Sequence, residues 1–109
     1  MRVIKVTTDM KISIIDLDMN DLDAIYNEIG GFECVRTKDL VHFFNEDVIM
    51  VVDDDGFAKD KPYNPIASFF YPGDIVGDVL FVPEEHGEFV DFYDVDAQCI
   101  YLTSRLGLE

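Results

Sequence analysis

The sequence predicts one small α+β domain, a mixed and mainly antiparallel sheet with two or three helices packed on it. Three observations predict it. Alternating apolar residues over 3–7 and 12–16 flank the short segment TDMK, as in a hairpin. The uninterrupted apolar run Val48 to Val52 suits a strand buried on both faces. Two stretches, 20–30 and 94–107, open on a capping residue and continue with apolar side chains at helical spacing. A chain of 109 residues fits a single domain, placed at 1–107, with Leu108-Glu109 read as a cloning-derived tail. A hydrophobic fraction of 49%, with nine Phe and five Tyr, is enough to build a core.

Each element has a local reason. Ile4 and Val6 share one face of the first strand, and Ile12 and Ile14 one face of the second. In DLDMNDLDAIYNEIGG, residues 16–31, Asn20 is the expected N-cap. Asp21 and Asp23 then sit at the positive end of the helix dipole. Leu22, Ile25, Tyr26 and Ile29 make the apolar face, and Gly30 closes the helix in the left-handed conformation. A calcium loop starting at Asp16 fails on three counts: Asp21 stands where glycine is needed, Asn27 where a bidentate glutamate is needed, and a strand precedes it. FECVRT suits a short strand, whereas KDLVHFF fits either a strand or one helical turn. Asp53-Asp54-Asp55-Gly56 is turn chemistry, with Asp55-Gly56 apt for positive φ. Asn64 caps a short helix with Pro65 in its first position, and Pro72-Gly73 stops it. DIVGDVLFVP is a strand in which Gly77 signals a bulge or the close approach of another backbone. EEHGEFVDF turns into a short strand. Asp94 caps a last helix with Val95, Cys99, Leu102 and Leu106 on one stripe and Gly107 at its end.

Charge is the strongest compositional feature. Asp and Glu number 23 against 8 Lys and Arg, a net charge of −15. From Pro72 onward nine carboxylates face one basic residue, Arg105. Such a field repels nucleic acid and anionic membrane and attracts basic partners. Arg2, Lys5 and Lys11 on the first strands, and Arg36 with Lys38, read as local charge balance rather than a nucleic-acid interface. No apolar stretch approaches the ~20 residues a membrane span needs, and Met1 to Val6 reads as a strand rather than a signal peptide. A cytoplasmic location is the expectation.

No catalytic constellation emerges. Cys34 and Cys99 are expected as free thiols in or near the core. His42 lies inside the apolar run LVHFF, where it reads as a partly buried structural residue. Pairing of either cysteine with His42 or His86 has no local support. Glu84, Glu85, His86 and Glu88 surround Gly87, but their spacing matches no metal motif and suits a solvated turn. Phosphate-cradling glycine patterns are absent. No metal, cofactor or catalytic residue is expected. The aromatic clusters Phe43-Phe44, Phe69-Phe70-Tyr71 and Phe89 to Tyr93 cannot all face one core, so some rings are expected at the surface, as at a homodimer or other protein seam.

NPIASFFY, then DIVGDVLFV, an acidic loop and DVDAQCIYLTSRL resemble a family known as domain of unknown function 3846. RVIKVTTDMKISIIDLD, the helix ending in EIGG, and VIMVVDDDGF extend the resemblance from Met1 to about Leu106. Its most specific part is Asn64-Pro65-x-Ala67 with the later Ile75-x-Gly77. The resemblance implies no activity, but it does imply a phage or mobile-element setting. The expected function is that of a non-enzymatic acidic binding protein engaging a basic or nucleic-acid-binding protein. Its sharper form is a DNA mimic, with carboxylates in place of backbone phosphates. Asp53, Asp54, Asp55, Asp74, Asp78, Glu84, Glu85, Glu88, Asp91, Asp94 and Asp96 are the expected contact residues. The alternatives are a small metal-dependent or cryptic enzyme, and a scaffold protein that assembles through its aromatic rings.

Overall fold

The computed structural model describes residues 1–108. β1 (Arg2–Val6) and β2 (Ile12–Asp16) form the expected antiparallel hairpin, with Met10 in the left-handed conformation at its turn. α1 (Leu22–Ile29) follows, then β3 (Glu33–Val35), α2 (Lys38–Phe44), β4 (Val48–Val52), α3 (Pro65–Phe69), β5 (Val79–Glu85), β6 (Glu88–Phe89) and α4 (Val95–Arg105). The sheet runs β2-β1-β5-β4-β3, with β6 paired to the end of β5. Every pairing is antiparallel, so the sheet is not mixed, and four helices cover it.

β4, and β5 as far as Pro83, are apolar on both faces because both faces are covered, and β1 departs from this only at Arg2 and Lys5. Ile4, Val6, Val48, Met50, Val79 and Phe81 pack against Leu40 and Phe44 of α2, Ile66 and Phe70 around α3, and Leu102 of α4. Val3, Ile49, Val51, Leu80 and Val82 pack on the opposite side against Ile25 and Ile29 of α1 with Leu17 and Met19. Each fully buried aliphatic or aromatic side chain contributes about 1.5–3 kcal/mol. β5 therefore holds the centre, although it is the fifth strand in chain order.

One cap differs from expectation. The α1 N-cap is Asp21, whose carboxylate accepts the Ala24 amide at 3.2 Å. Asn20 instead lies in a turn, its amide bonded to Asp18 Oδ1. Only Ile25 and Ile29 of the α1 face are buried; Leu22 and Tyr26 remain exposed. KDLVHFF is helical because Thr37 accepts the Leu40 amide at 3.1 Å and Asn45 closes the helix with positive φ. At its other end, α4 is closed by left-handed Gly107, with the Gly107 and Leu108 amides donating to the Ser104 and Thr103 carbonyls. Leu108 packs on the core and so belongs to the fold, whereas Glu109 lies outside the described residues. Gly56 is absent from the positive-φ residues; in that loop Asp60 takes the left-handed conformation.

Asn64 joins three elements. It is fully buried. Its Oδ1 accepts the Ala67 amide at 3.0 Å, and its Nδ2 donates to the Val6 and Gly77 carbonyls at 3.2 and 2.9 Å. Four residues on, the Ser68 hydroxyl exchanges hydrogen bonds with the backbone of Ile75. The end of β1, the start of α3 and the entry to β5 are thus held by one side chain. Gly77 has φ 78, and a Cβ there would lie 2.9 Å from Lys61 Cδ, so the close approach is by a side chain rather than a second backbone. Replacing Asn64 with Ala removes a cap and two buried hydrogen bonds to the Val6 and Gly77 carbonyls. Urea unfolding is expected to show a loss of about 3 kcal/mol; an unchanged midpoint would contradict the assigned role.

Candidate functional site

The eleven carboxylates expected to make contacts occupy two ends of the sheet. Asp53, Asp54 and Asp55 follow β4, while Asp74 and Asp78 lie on the chain leading into β5. Glu84 and Glu85 end β5, and Glu88, Asp91, Asp94 and Asp96 follow. β4 and β5 are antiparallel, so the two groups lie at opposite ends, separated by roughly 20 Å of strand.

At the first end Asp53 is no surface residue. Its carboxylate is buried, 2.9 Å from Lys59 Nζ and 2.6 Å from Lys61 Nζ, and it accepts the Asp55 amide at 2.8 Å. The same two ammonium groups donate to the carbonyls of Gly30 and Ile29, each at 2.8 Å. They supply the C-terminus of α1 with the positive charge that its own last turn lacks. Gly31 must be glycine here, because an added Cβ would come within 2.9 Å of the Asp53 Cα. The EIGG and DDDGF segments therefore meet around one buried ion cluster. Burial pushes the Asp53 carboxyl up, but Lys61, Lys59 and the Asp55 amide outweigh it and hold the group at about 2. Asp54, Asp55 and Asp74 point to solvent. Asp78 is half-buried, accepts the Thr8 amide and lies 3.8 Å from Lys5 Nζ.

The second end is the more acidic. β5 and β6 are joined by His86 and Gly87, with φ 54 and 81, the backbone signs of a tight two-residue hairpin turn. Antiparallel pairing brings the start of β4 beside the end of β5, so Glu46 and Asp47 join Glu84 and Glu85. Glu46 accepts the Tyr93 amide at 3.0 Å and the Gln98 side chain at 2.6 Å, fixing the loop before α4. Between these elements lies a concavity of about 590 Å³ lined by Glu46, Asp47, Glu85, Asp91 and Tyr93, among others. A second hollow of about 460 Å³ shares Asp91 and Tyr93 and adds Asp16, Asp94 and Asp96.

Some of these charges are already matched. Arg36 bridges Asp47 and Glu84, and Arg2 holds Asp96 with two hydrogen bonds of 3.2 and 3.3 Å. Asp94 is the α4 N-cap, accepting the Ala97 amide at 3.1 Å. Glu85, Glu88 and Asp91 make no ion pair among the described residues, nor do Asp54, Asp55 and Asp74. Tyr93 stands 96% exposed among them.

Other expected features resolve as follows. Phe44, Phe70 and Phe92 turn inward and Phe43 packs partly buried on the same core, while Phe69, Tyr71 and Tyr93 face out, so the second and third clusters split between core and surface. His42 is exposed rather than partly buried. Cys99 is half-buried beside the core, but Cys34 is exposed on the edge strand β3. Loss of solvent around sulfur, then Glu84 and Glu33, push the Cys34 thiol above its ordinary value. Burial and Asp96 do the same for Cys99 against a weaker opposing bond from Thr103, so neither sulfur is primed as a nucleophile. Among the described residues no three His, Cys, Asp or Glu side chains converge as a metal site. No helix among them is long and apolar enough to cross a membrane.

A buried Asp–Lys cluster, an amide clamp at Asn64 and an anionic end around Tyr93 define a small acidic α+β domain. The chain belongs to the family Domain of unknown function (DUF3846), whose model matches residues 1–105. The most specific segments of the resemblance, Asn64-Pro65-x-Ala67 and Ile75-x-Gly77, are the parts that the Asn64 and Ser68 bonds tie together. No curated protein and no solved structure matches the chain.

The pH dependence of stability follows from Asp53. Its folded pKa lies below the ordinary value, so its contribution is complete above about pH 4 and is lost as pH falls toward about 2. Acid titration of the unfolding free energy is expected to lose about 2 kcal/mol over that window from this group. Asp53→Asn is expected to cost about 2 kcal/mol at neutral pH, since Lys59 and Lys61 remain partly solvated, and to flatten the acid limb. An acid limb unchanged by the substitution would refute the assignment.

Proposed function

We propose that the protein is a non-enzymatic binding module that engages a basic protein surface through the acidic end of its sheet. The observation that carries this reading is the pair of adjoining hollows around Asp91 and Tyr93, rimmed by the unmatched carboxylates Glu85 and Asp91. An exposed tyrosine among anions supplies apolar contact area at its ring and long-range attraction at its rim. Attraction of this kind raises association rates by about 10- to 1,000-fold at low salt and fades as salt screens it. In the narrower form, Glu85, Glu88 and Asp91 occupy the cleft of a nucleic-acid-binding protein in the cytoplasm, where DNA phosphates otherwise sit. The net charge of −15 supports that form, and a phage or mobile-element setting is part of the proposal.

The immobilised protein is expected to retain a basic partner at about 50 mM salt and release it at about 500 mM. Glu85→Lys with Asp91→Lys is expected to abolish retention, and Tyr93→Ala to weaken it by about tenfold. Equal retention by wild type and the double variant would overturn the reading. Displacement of duplex DNA from the captured partner, by wild type but not by the double variant, is the result that mimicry requires.

A further inference from the structure

The geometry points to β2 as a docking edge for a second copy of this chain, joined strand to strand about a two-fold axis at Ile14. β2 pairs with β1 alone, so one side of its backbone has no neighbouring strand. Which groups face that side follows from the hairpin register. The Thr7 amide donates to the Lys11 carbonyl at 3.0 Å, and the Leu17 amide to the Met1 carbonyl at 2.8 Å. Hydrogen-bonded pairs alternate along an antiparallel ladder, so Lys5 with Ser13 and Val3 with Ile15 are the bonded pairs between them. The N–H and C=O groups of Ile12, Ile14 and Asp16 therefore point outward, away from β1.

Those three residues are self-complementary. An antiparallel copy centred on Ile14 sets Ile14 against its counterpart and Ile12 against Asp16 of the second copy, twice by symmetry. Each is a hydrogen-bonded pair, so every outward backbone group of residues 12, 14 and 16 finds a partner. The same register places Lys11 opposite Leu17 of the second copy, between its Asp16 and Asp18. The basic start of each strand then meets the acidic end of the other.

Charge selects this edge over the rest of the surface. Two chains of net charge −15 repel strongly. Around β2, however, cations offset most of the carboxylates: the Met1 ammonium lies on Asp16, Arg2 on Asp96, Lys5 on Glu28 and Lys11 on Asp9, while Asp18 makes no ion pair among the described residues. The strand carries no proline, glycine or inward charge, the devices that guard free edges. The opposite edge, β3, is three residues long and begins with exposed Glu33. Pairing at β2 joins two five-strand paths into one continuous sheet; it engages Asp16 at the margin of the second hollow and leaves the first, lined by Glu85 and Asp91, free.

Sedimentation velocity of the full chain from about 5 to about 500 µM is expected to show the mass rising from 12.5 kDa toward a dimer, as for a small interface of modest affinity. Hydrogen exchange at the two ends of that range is expected to slow the Ile12, Ile14 and Asp16 amides by about tenfold at high concentration. The Ser13 and Ile15 amides, bonded to β1, stay protected throughout. Ile14→Pro removes an outward N–H, which an edge strand tolerates, and is expected to give a monomer with an unchanged circular dichroism spectrum. Should that variant unfold, Lys11→Glu tests the same edge without touching the core and is expected to weaken the dimer at least about fivefold. Raising salt is expected to tighten this dimer by screening the net repulsion, the opposite of its effect at the acidic end. A monomer at every concentration, or a dimer in which those three amides remain unprotected, overturns the proposal.

Discussion

The Asn64 carboxamide makes three hydrogen bonds where no water reaches it, and the position of β5 depends on them. β5 lies between β1 and β4, so it must be inserted between strands far from it in sequence. A buried amide specifies that insertion because leaving its partners unpaired is costly in a medium of low polarity. One donor group ties the end of β1 to Gly77, and one acceptor starts α3 three residues later. Once β5 is seated, its far end carries Glu84 and Glu85 to the edge of the molecule, and the hairpin through His86 and Gly87 folds Glu88 back beside them. The acidic end is thus a consequence of how the central strand is anchored at its other end.

Cations are scarce, and their placement decides where negative charge remains. Among the described residues, six of the eight Lys and Arg side chains lie in ion pairs. Lys59 and Lys61 enclose Asp53, and Lys5 joins β1 to α1 through Glu28. Arg36 and Arg2 reach the acidic end but satisfy only Asp47, Glu84 and Asp96 there. Exposed pairs of this kind contribute little individually, whereas the Asp53 carboxylate is fully buried and depends on Lys59 and Lys61 for its compensation. Stability and surface potential are therefore set by different members of the same charge population.

Much of the fold was legible because it rests on local chemistry. Asn64-Pro65 announces α3, Asp94 and Gly107 bracket α4, Gly30 ends α1, and five consecutive apolar residues mark β4. Choices between adjacent residues of one chemistry were not legible. Asn20 and Asp21 are both good caps, and the second is used. KDLVHFF is too short for its period to separate strand from helix, and the Thr37 cap decided it. Nor does an aromatic pair reveal which ring turns inward: Phe69 and Phe70 differ by one position, and only the second is buried.

The sequence by itself determined an α+β domain, most of its element boundaries and a large surplus of negative charge, since these depend on residue type and spacing of a few positions. The tertiary structure alone decided what each charge does. Asp53 is buried on two lysines while Asp54 is solvated, because a lysine pair arrives from six and eight residues along the loop. Glu46 and Asp47 reinforce the acidic end because antiparallel pairing places β4 beside β5. Burial and charge compensation depend on neighbours distant in the chain, and no local pattern encodes which neighbours those are.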